Sequence, residues 1–152
     1  MLPVDTRHTG KEKFINTALC HIPTNERKTL DCNTKIVTMH NRFGYCLKAK
    51  KEANIIVIND AVFDVIFQNE KLTNDEPFYR WLIYTVLHEV AHAYLGHDGA
   101  QSAENEEKAE VQAINWYNGY APEKYSLPRM EPSEIRKTEM EIKRLLKWEE
   151  SQ

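Results

Sequence analysis

Residues 88–92 read His88-Glu89-Val90-Ala91-His92, two histidines four positions apart with a glutamate directly after the first. On a helix of 3.6 residues per turn, positions i and i+4 share a face, so both imidazoles can ligate one Zn2+ ion while Glu89 stands beside a water. The chemistry available to such a group is hydrolysis. The ion makes the water acidic and polarises a carbonyl, and Glu89 acts as general base, taking the water's proton and passing it to a leaving amine.

Two histidines do not complete a catalytic zinc site, which needs three protein ligands and an open fourth position. His97 is one candidate for the third. A helix ending at Gly96 places its ring about one turn beyond the other two, and the pattern H-E-x-x-H-x-x-G-x-x-H sets its last histidine one residue later than His97. His97 is therefore read as a residue behind the ligands or at the surface. The alternative is a glutamate from the following helix, as in His2Glu sites. Glu104, Glu106, Glu107 and Glu110 are all within reach. Glu110 leads a stripe of Ala113, Ile114 and Tyr117, and Glu107 one of Val111 and Ile114, so periodicity leaves the choice open.

The stretch H-E-V-A-H-A-Y-L-G-H, followed by E-E-K-A-E-V-Q-A-I-N-W, resembles the ImmA/IrrE family of zinc metallopeptidases. These are gluzincins, in which an H-E-x-x-H helix precedes an E-x-[EQ]-A-[ND]-x-[FW]-A helix. Glu110-Val111-Gln112-Ala113 and Trp116 match the second pattern; Ile114 and Tyr117 depart from its Asn or Asp and its Ala. The resemblance covers roughly residues 54–117. It implies a small zincin-like (minigluzincin) fold, Glu110 as third ligand with Glu106 and Glu107 as alternatives, and limited proteolysis of an intracellular regulator, often a repressor of a phage or mobile element. Gly44-Tyr45-Cys46 also resembles SprT-like proteins, which take a third histidine further downstream; no histidine follows His97. His97, Tyr94 and Tyr117 are neighbours able to stabilise an oxyanion, and spacing does not choose among them.

The elements that must carry these residues follow from pattern. A helix starts near Asp75 to Pro77, where a capping side chain and a first-turn proline agree, and runs to Leu95 with Gly96 as its stop. Phe78, Leu82, Thr85, Val86 and Val90 form its core face. A second helix is predicted from Ser102 to Tyr117, and a third from Pro132 or Ser133 to Glu149. The third carries Ile135, Ile142, Leu145, Leu146 and Trp148 among charges and covers the core. Upstream, Lys35 to His40, Phe43 to Leu47 and Asn54 to Ile58 read as short strands of an antiparallel or mixed sheet. Asn59-Asp60 can cap a helix bearing Val62, Phe63, Val65, Ile66 and Phe67. Strands before residue 60 and helices mainly after it predict an α+β fold.

A chain of 152 residues suits one domain spanning 1–152. Twenty Lys and Arg against 23 Asp and Glu give a net charge of −3, so no global basic excess invites a nucleic acid. The one basic cluster, Lys48 to Lys51, reads as a solvated loop. The N-terminus lacks an apolar signal region and no run of eighteen apolar residues occurs, which predicts a soluble, cytoplasmic protein without a membrane partner. Cys20, Cys32 and Cys46 are irregularly spaced and read as reduced thiols; a second zinc site from Cys20, His21, Cys32, His40 and Cys46 is the less favoured reading. The expected activity is therefore zinc-dependent hydrolysis of a protein or peptide, with His88, His92 and Glu110 on the metal and Glu89 as base. The competing classes are a non-catalytic zinc-binding module, which has no use for Glu89, and a SprT-like protease working at nucleic acid.

Overall fold

β-Branched residues at alternate positions pair into the sheet of a computed structural model that describes residues 4–5, 9–31, 34–39, 45–48, 54–59, 63, 76–97 and 102–150. Strand β1 is Val4–Asp5, β2 is Thr34–Met39, β3 is Tyr45–Lys48 and β4 is Asn54–Asn59. They form a four-stranded sheet in the order β1-β2-β4-β3. β2 pairs parallel with β4 in the register Ile36↔Ile56, and with β1 on its other side through Val4↔Ile36. β3 closes the edge antiparallel to β4, Cys46 opposite Ile56. The sheet is thus mixed. Thr34, Ile36, Ile56 and Ile58 are buried while Lys35 is exposed, the alternation of a sheet with one covered face.

That cover is helical. α1 (Thr9–Leu19) and α2 (Thr24–Asp31) precede β2, and α3 (Pro77–Tyr94), α4 (Ala103–Tyr125) and α5 (Pro132–Glu150) follow the sheet. The fold is α+β, as expected, but the separation of strands from helices is not: α1 and α2 were not foreseen. In α1, Phe14, Ile15, Ala18 and Leu19 are buried at helical spacing and Ile22 continues the stripe just past its end. Asparagines, threonines and lysines interleave that stripe and weaken it as a sequence signal.

α3 is the hub, meeting α1, α2, β3, β4, α4 and α5. Its residues Arg80 to Leu87 are all buried, a helix apolar on more than the single expected face. Pro77 occupies its first turn as expected, whereas the cap is made by Glu76, extended and without a side-chain hydrogen bond. The stop is a Schellman turn. Gly96 adopts φ +76°, its N–H reaches the Ala93 carbonyl at 3.1 Å, and the His97 N–H reaches the His92 carbonyl at 2.9 Å.

α4 begins where expected, with the Ser102 hydroxyl accepting the Asn105 N–H at 3.1 Å. It ends eight residues later than Tyr117, carrying Pro122 inside it. Burial of Tyr117 and Ala121 holds the helical path through the proline. The Asn118 side chain, one turn before it, clamps Met130 through bonds of 2.7 and 3.1 Å. α5 covers the core as anticipated, through Ile135, Thr138 and Ile142. Of the helix expected over Val62 to Phe67, only Phe63 lies among the described residues; it is fully buried, 5.7 Å from the Phe14 ring. Most of the Lys48 to Lys51 cluster lies outside the described residues.

Candidate metal centre

α3 presents Tyr84, His88 and His92 at intervals of four, one above the other on one face. The facing helix, α4, enters with Glu106 in its first turn, where the positive end of the helix dipole favours a carboxylate. The two elements bring three donors together. Glu106 Oε2 lies 2.9 Å from His88 Nε2, and Glu106 Oε1 lies 3.1 Å from His92 Nε2. The two Nε2 atoms are 3.2 Å apart. These three residues can hold a metal ion, and they are the only such group of His, Cys, Asp or Glu among the described residues.

The spacing suits a small tetrahedral ion: donors about 2.0–2.1 Å from zinc at tetrahedral angles lie about 3.3–3.4 Å from one another. The histidine nitrogens come within a few tenths of an ångström of that separation. Both rings are largely buried, while the Glu106 side chain is 43% exposed, so one side of the group opens to solvent. Glu89, on the turn between the two histidines, is 7% exposed and its Oε2 has no hydrogen-bond partner. An unpartnered buried carboxylate oxygen is costly unless a polar group meets it. A hydrated cation supplies such a group.

Electrostatics tie the residues together. Burial raises the Glu89 carboxyl to about 7; the nearby His88 opposes that shift and Glu106 adds to it. Burial works to lower the His88 pKa, but its hydrogen bond to Glu106 and the charges of Glu89, Glu106 and Glu110 outweigh it, so the net shift is upward. Burial and the neighbouring His88 lower the His92 pKa. Glu106 is held below the usual carboxylate range by the same His88 bond, against its partial burial.

Glu106 stands in the place that the resemblance gives to Glu110. Glu110, one turn later, directs Oε2 to Arg136 of α5 at 2.8 Å and is not in the group of donors. Glu107 and the Val111 of its stripe are exposed and face away. The buried stripe of α4 is Ala109, Ala113, Trp116 and Tyr117, which Glu106 leads at +3, +7, +10 and +11. Periodicity left the choice open, and the match of Glu110-Val111-Gln112-Ala113 and Trp116 to the family's second pattern favoured Glu110. His97 is not in the group of donors; its Nδ1 lies 2.8 Å from His92 Nδ1. Tyr94 packs on Trp116 at 5.4 Å between ring centres, away from the donors. The Tyr117 hydroxyl is buried without a partner, and the charges of Arg80 and Glu134 act on it. Tyr84 was not singled out by sequence, although its hydroxyl is 3.0 Å from His88 Nδ1. Its position four residues before His88 was the available signal.

Of the residues considered for a second zinc site, His21 donates from Nδ1 to the Ala18 carbonyl at 3.1 Å and stacks on Tyr117, and Cys20 is a free, half-buried thiol. Both border a cavity of about 280 Å³ with Arg27, Asn115, Trp116 and Tyr120. Cys32 and His40, and the Cys46 side chain, lie outside the described residues. No helix among the described residues is long and apolar enough to cross a membrane. No protein-family model, curated protein or solved structure matches the chain.

Proposed function

We propose that this protein is a zinc-dependent peptidase in which His88, His92 and Glu106 hold the ion and Glu89 is the general base. The observation that carries the reading is the convergence of three donors at 2.9–3.2 Å, with Glu89 buried and its Oε2 unpartnered on the helical turn between the two histidines. A bound zinc ion supplies an acidified water and polarises the substrate carbonyl. Glu89 Oε2 then accepts the proton of the attacking water and returns it to the leaving amine. The value of about 7 belongs to the metal-free protein; a bound Zn2+ nearby would lower it and leave the carboxylate ionised to act as the base. His88 and His92 hold their rings rigidly on a helix packed on many sides, and the exposed side of Glu106 leaves an approach for a peptide.

The order of elements supports a minigluzincin arrangement: a mixed sheet with an antiparallel edge strand, the H-E-x-x-H helix, then the glutamate helix. The resemblance to ImmA/IrrE peptidases points the same way and suggests a protein substrate such as a transcriptional repressor in the cytoplasm. Metal analysis and peptide-library cleavage test the reading. Wild-type protein should hold one zinc per chain and cleave peptides; Glu89→Gln should keep the zinc and lose about 10²–10⁴-fold in turnover. Glu106→Ala should lose the zinc and Glu107→Ala should keep it. A wild-type protein that holds zinc and cleaves nothing would show a metal-binding module instead.

A further inference from the structure

We propose that His97 is a positioning residue for His92: its Nδ1 accepts the ring hydrogen of His92 and so holds the Nε2 lone pair of that residue toward the ion. The inference rests on the metal reading above and deepens it by one residue. His92 and His97 meet twice. The His97 main-chain N–H donates to the His92 carbonyl at 2.9 Å, and the two Nδ1 atoms lie 2.8 Å apart, a hydrogen-bond distance. The ring centres are 5.1 Å apart with the planes tilted by 58°, so the rings meet through their nitrogens and do not stack. The turn that ends α3 produces this pairing. Gly96, at φ +76°, reverses the chain one residue before His97 and brings the His97 ring back against the last turn of the helix.

Two ring nitrogens at that distance share one hydrogen, and its placement decides what His92 can do. His92 directs Nε2 toward Glu106 Oε1 at 3.1 Å and His88 Nε2 at 3.2 Å. A neutral imidazole that offers this lone pair to a cation carries its hydrogen on Nδ1. His97 Nδ1 is then the acceptor, and the hydrogen of the His97 ring is on its own Nε2. With the shared hydrogen on His97 Nδ1 instead, neutral His92 would carry its own on Nε2 and present an N–H to Glu106 and His88. Only the first arrangement serves an ion. Groups that accept the second ring hydrogen of a metal-bound histidine fix its tautomer and raise its basicity, and losing them costs about 10–100-fold in metal affinity.

The test is zinc affinity, measured by competition with a chromophoric chelator, on wild type, His97→Phe and His97→Asn. Phenylalanine keeps a ring and lacks an acceptor, whereas asparagine places a carbonyl oxygen where Nδ1 stands. His97→Phe should weaken zinc about 10–100-fold, and His97→Asn should recover most of that loss. His97→Ala, which removes ring and acceptor together from this half-buried position, should match His97→Phe. In zinc-loaded protein carrying isotope-labelled histidine, NMR should find the His92 Nδ1–H protected from solvent exchange in wild type and His97→Asn, and faster to exchange in His97→Phe. Loss of packing alone would not sort the variants in that way. Wild-type affinity and exchange in His97→Phe would overturn the proposal. So would equal weakening by all three variants, which marks a packing role, or loss of stoichiometric zinc in all three, which makes His97 a ligand. Absence of zinc from the wild type would remove the metal reading itself, a separate failure that takes this proposal with it.

Discussion

Glu89 is the residue on which solvent exposure and chemistry conflict most directly. Its burial raises its pKa from the ordinary carboxylate value to about 7, so the metal-free folded protein binds a proton there more tightly than the unfolded chain does. The sign follows. The favourable contribution is complete below the unfolded pKa and is lost as pH rises through about 7, because ionised Glu89 is then buried with its Oε2 unpartnered. His88, whose pKa is also raised, adds to the same loss. Replacement by glutamine abolishes the Glu89 part. In urea titrations of metal-free protein, Glu89→Gln should gain on the order of 3 kcal/mol relative to wild type between pH 5 and pH 8. A difference between the two proteins that stays flat over this range would refute the assignment. Zinc should flatten the wild-type profile by giving the carboxylate a polar neighbour.

Among the elements, the turn that ends α3 matters more than its length. Gly96 at φ +76° lets the chain close two terminal hydrogen bonds and return His97 to within 2.8 Å of the His92 ring. Open space surrounds the position a Cβ would take, so any penalty there is conformational and not steric. Gly96→Ala should cost about 1 kcal/mol in denaturant unfolding, and Gly96→Asn less, since asparagine tolerates the left-handed region. Equal losses for both would indicate that the turn does not depend on backbone handedness. The α3–α4 contact is equally specific. Ala109 and Ala113 are fully buried on the face of α4 that delivers Glu106, and a larger residue at either would push the carboxylate away from the imidazoles.

At the scale of the whole molecule, the N-terminal helices and the C-terminal helix brace one hub. The Trp116 indole N–H donates to Glu26 of α2 at 2.8 Å, and Arg80 of α3 donates to Glu134 of α5. Ile15, fully buried, belongs to the same core cluster as Val86 and Ile135. Ile15→Ala should therefore cost about 3 kcal/mol and leave a single cooperative transition. Separate melting of the first thirty residues would mean that α1 and α2 are an appendage to the sheet and hub. Glu134→Ala should cost about 2 kcal/mol, because it withdraws the carboxylate from a largely buried guanidinium.

Local pattern reached the two histidines that face Glu106, the glutamate between them and the helix that carries them. The i, i+4 spacing of His88 and His92, Pro77 at the start and Gly96 at the end act over one or two turns, and nothing distant needs to be known. The strands β2 and β4 were legible for the same reason, as short β-branched runs. The third donor was not. Glu107 points about 100° round α4 from Glu106, while Glu110 shares its face about 6 Å further along, so the choice depends on how α4 is turned and shifted against α3, a contact between elements with no strong local signature. Likewise the pairing of Glu110 with Arg136, 26 residues away, and of Trp116 with Glu26, 90 residues away, depends on how helices meet. The residues available for chemistry were thus determined by sequence alone, because helical spacing is local. Which of the glutamates meets the two imidazoles was decided only when the helices packed.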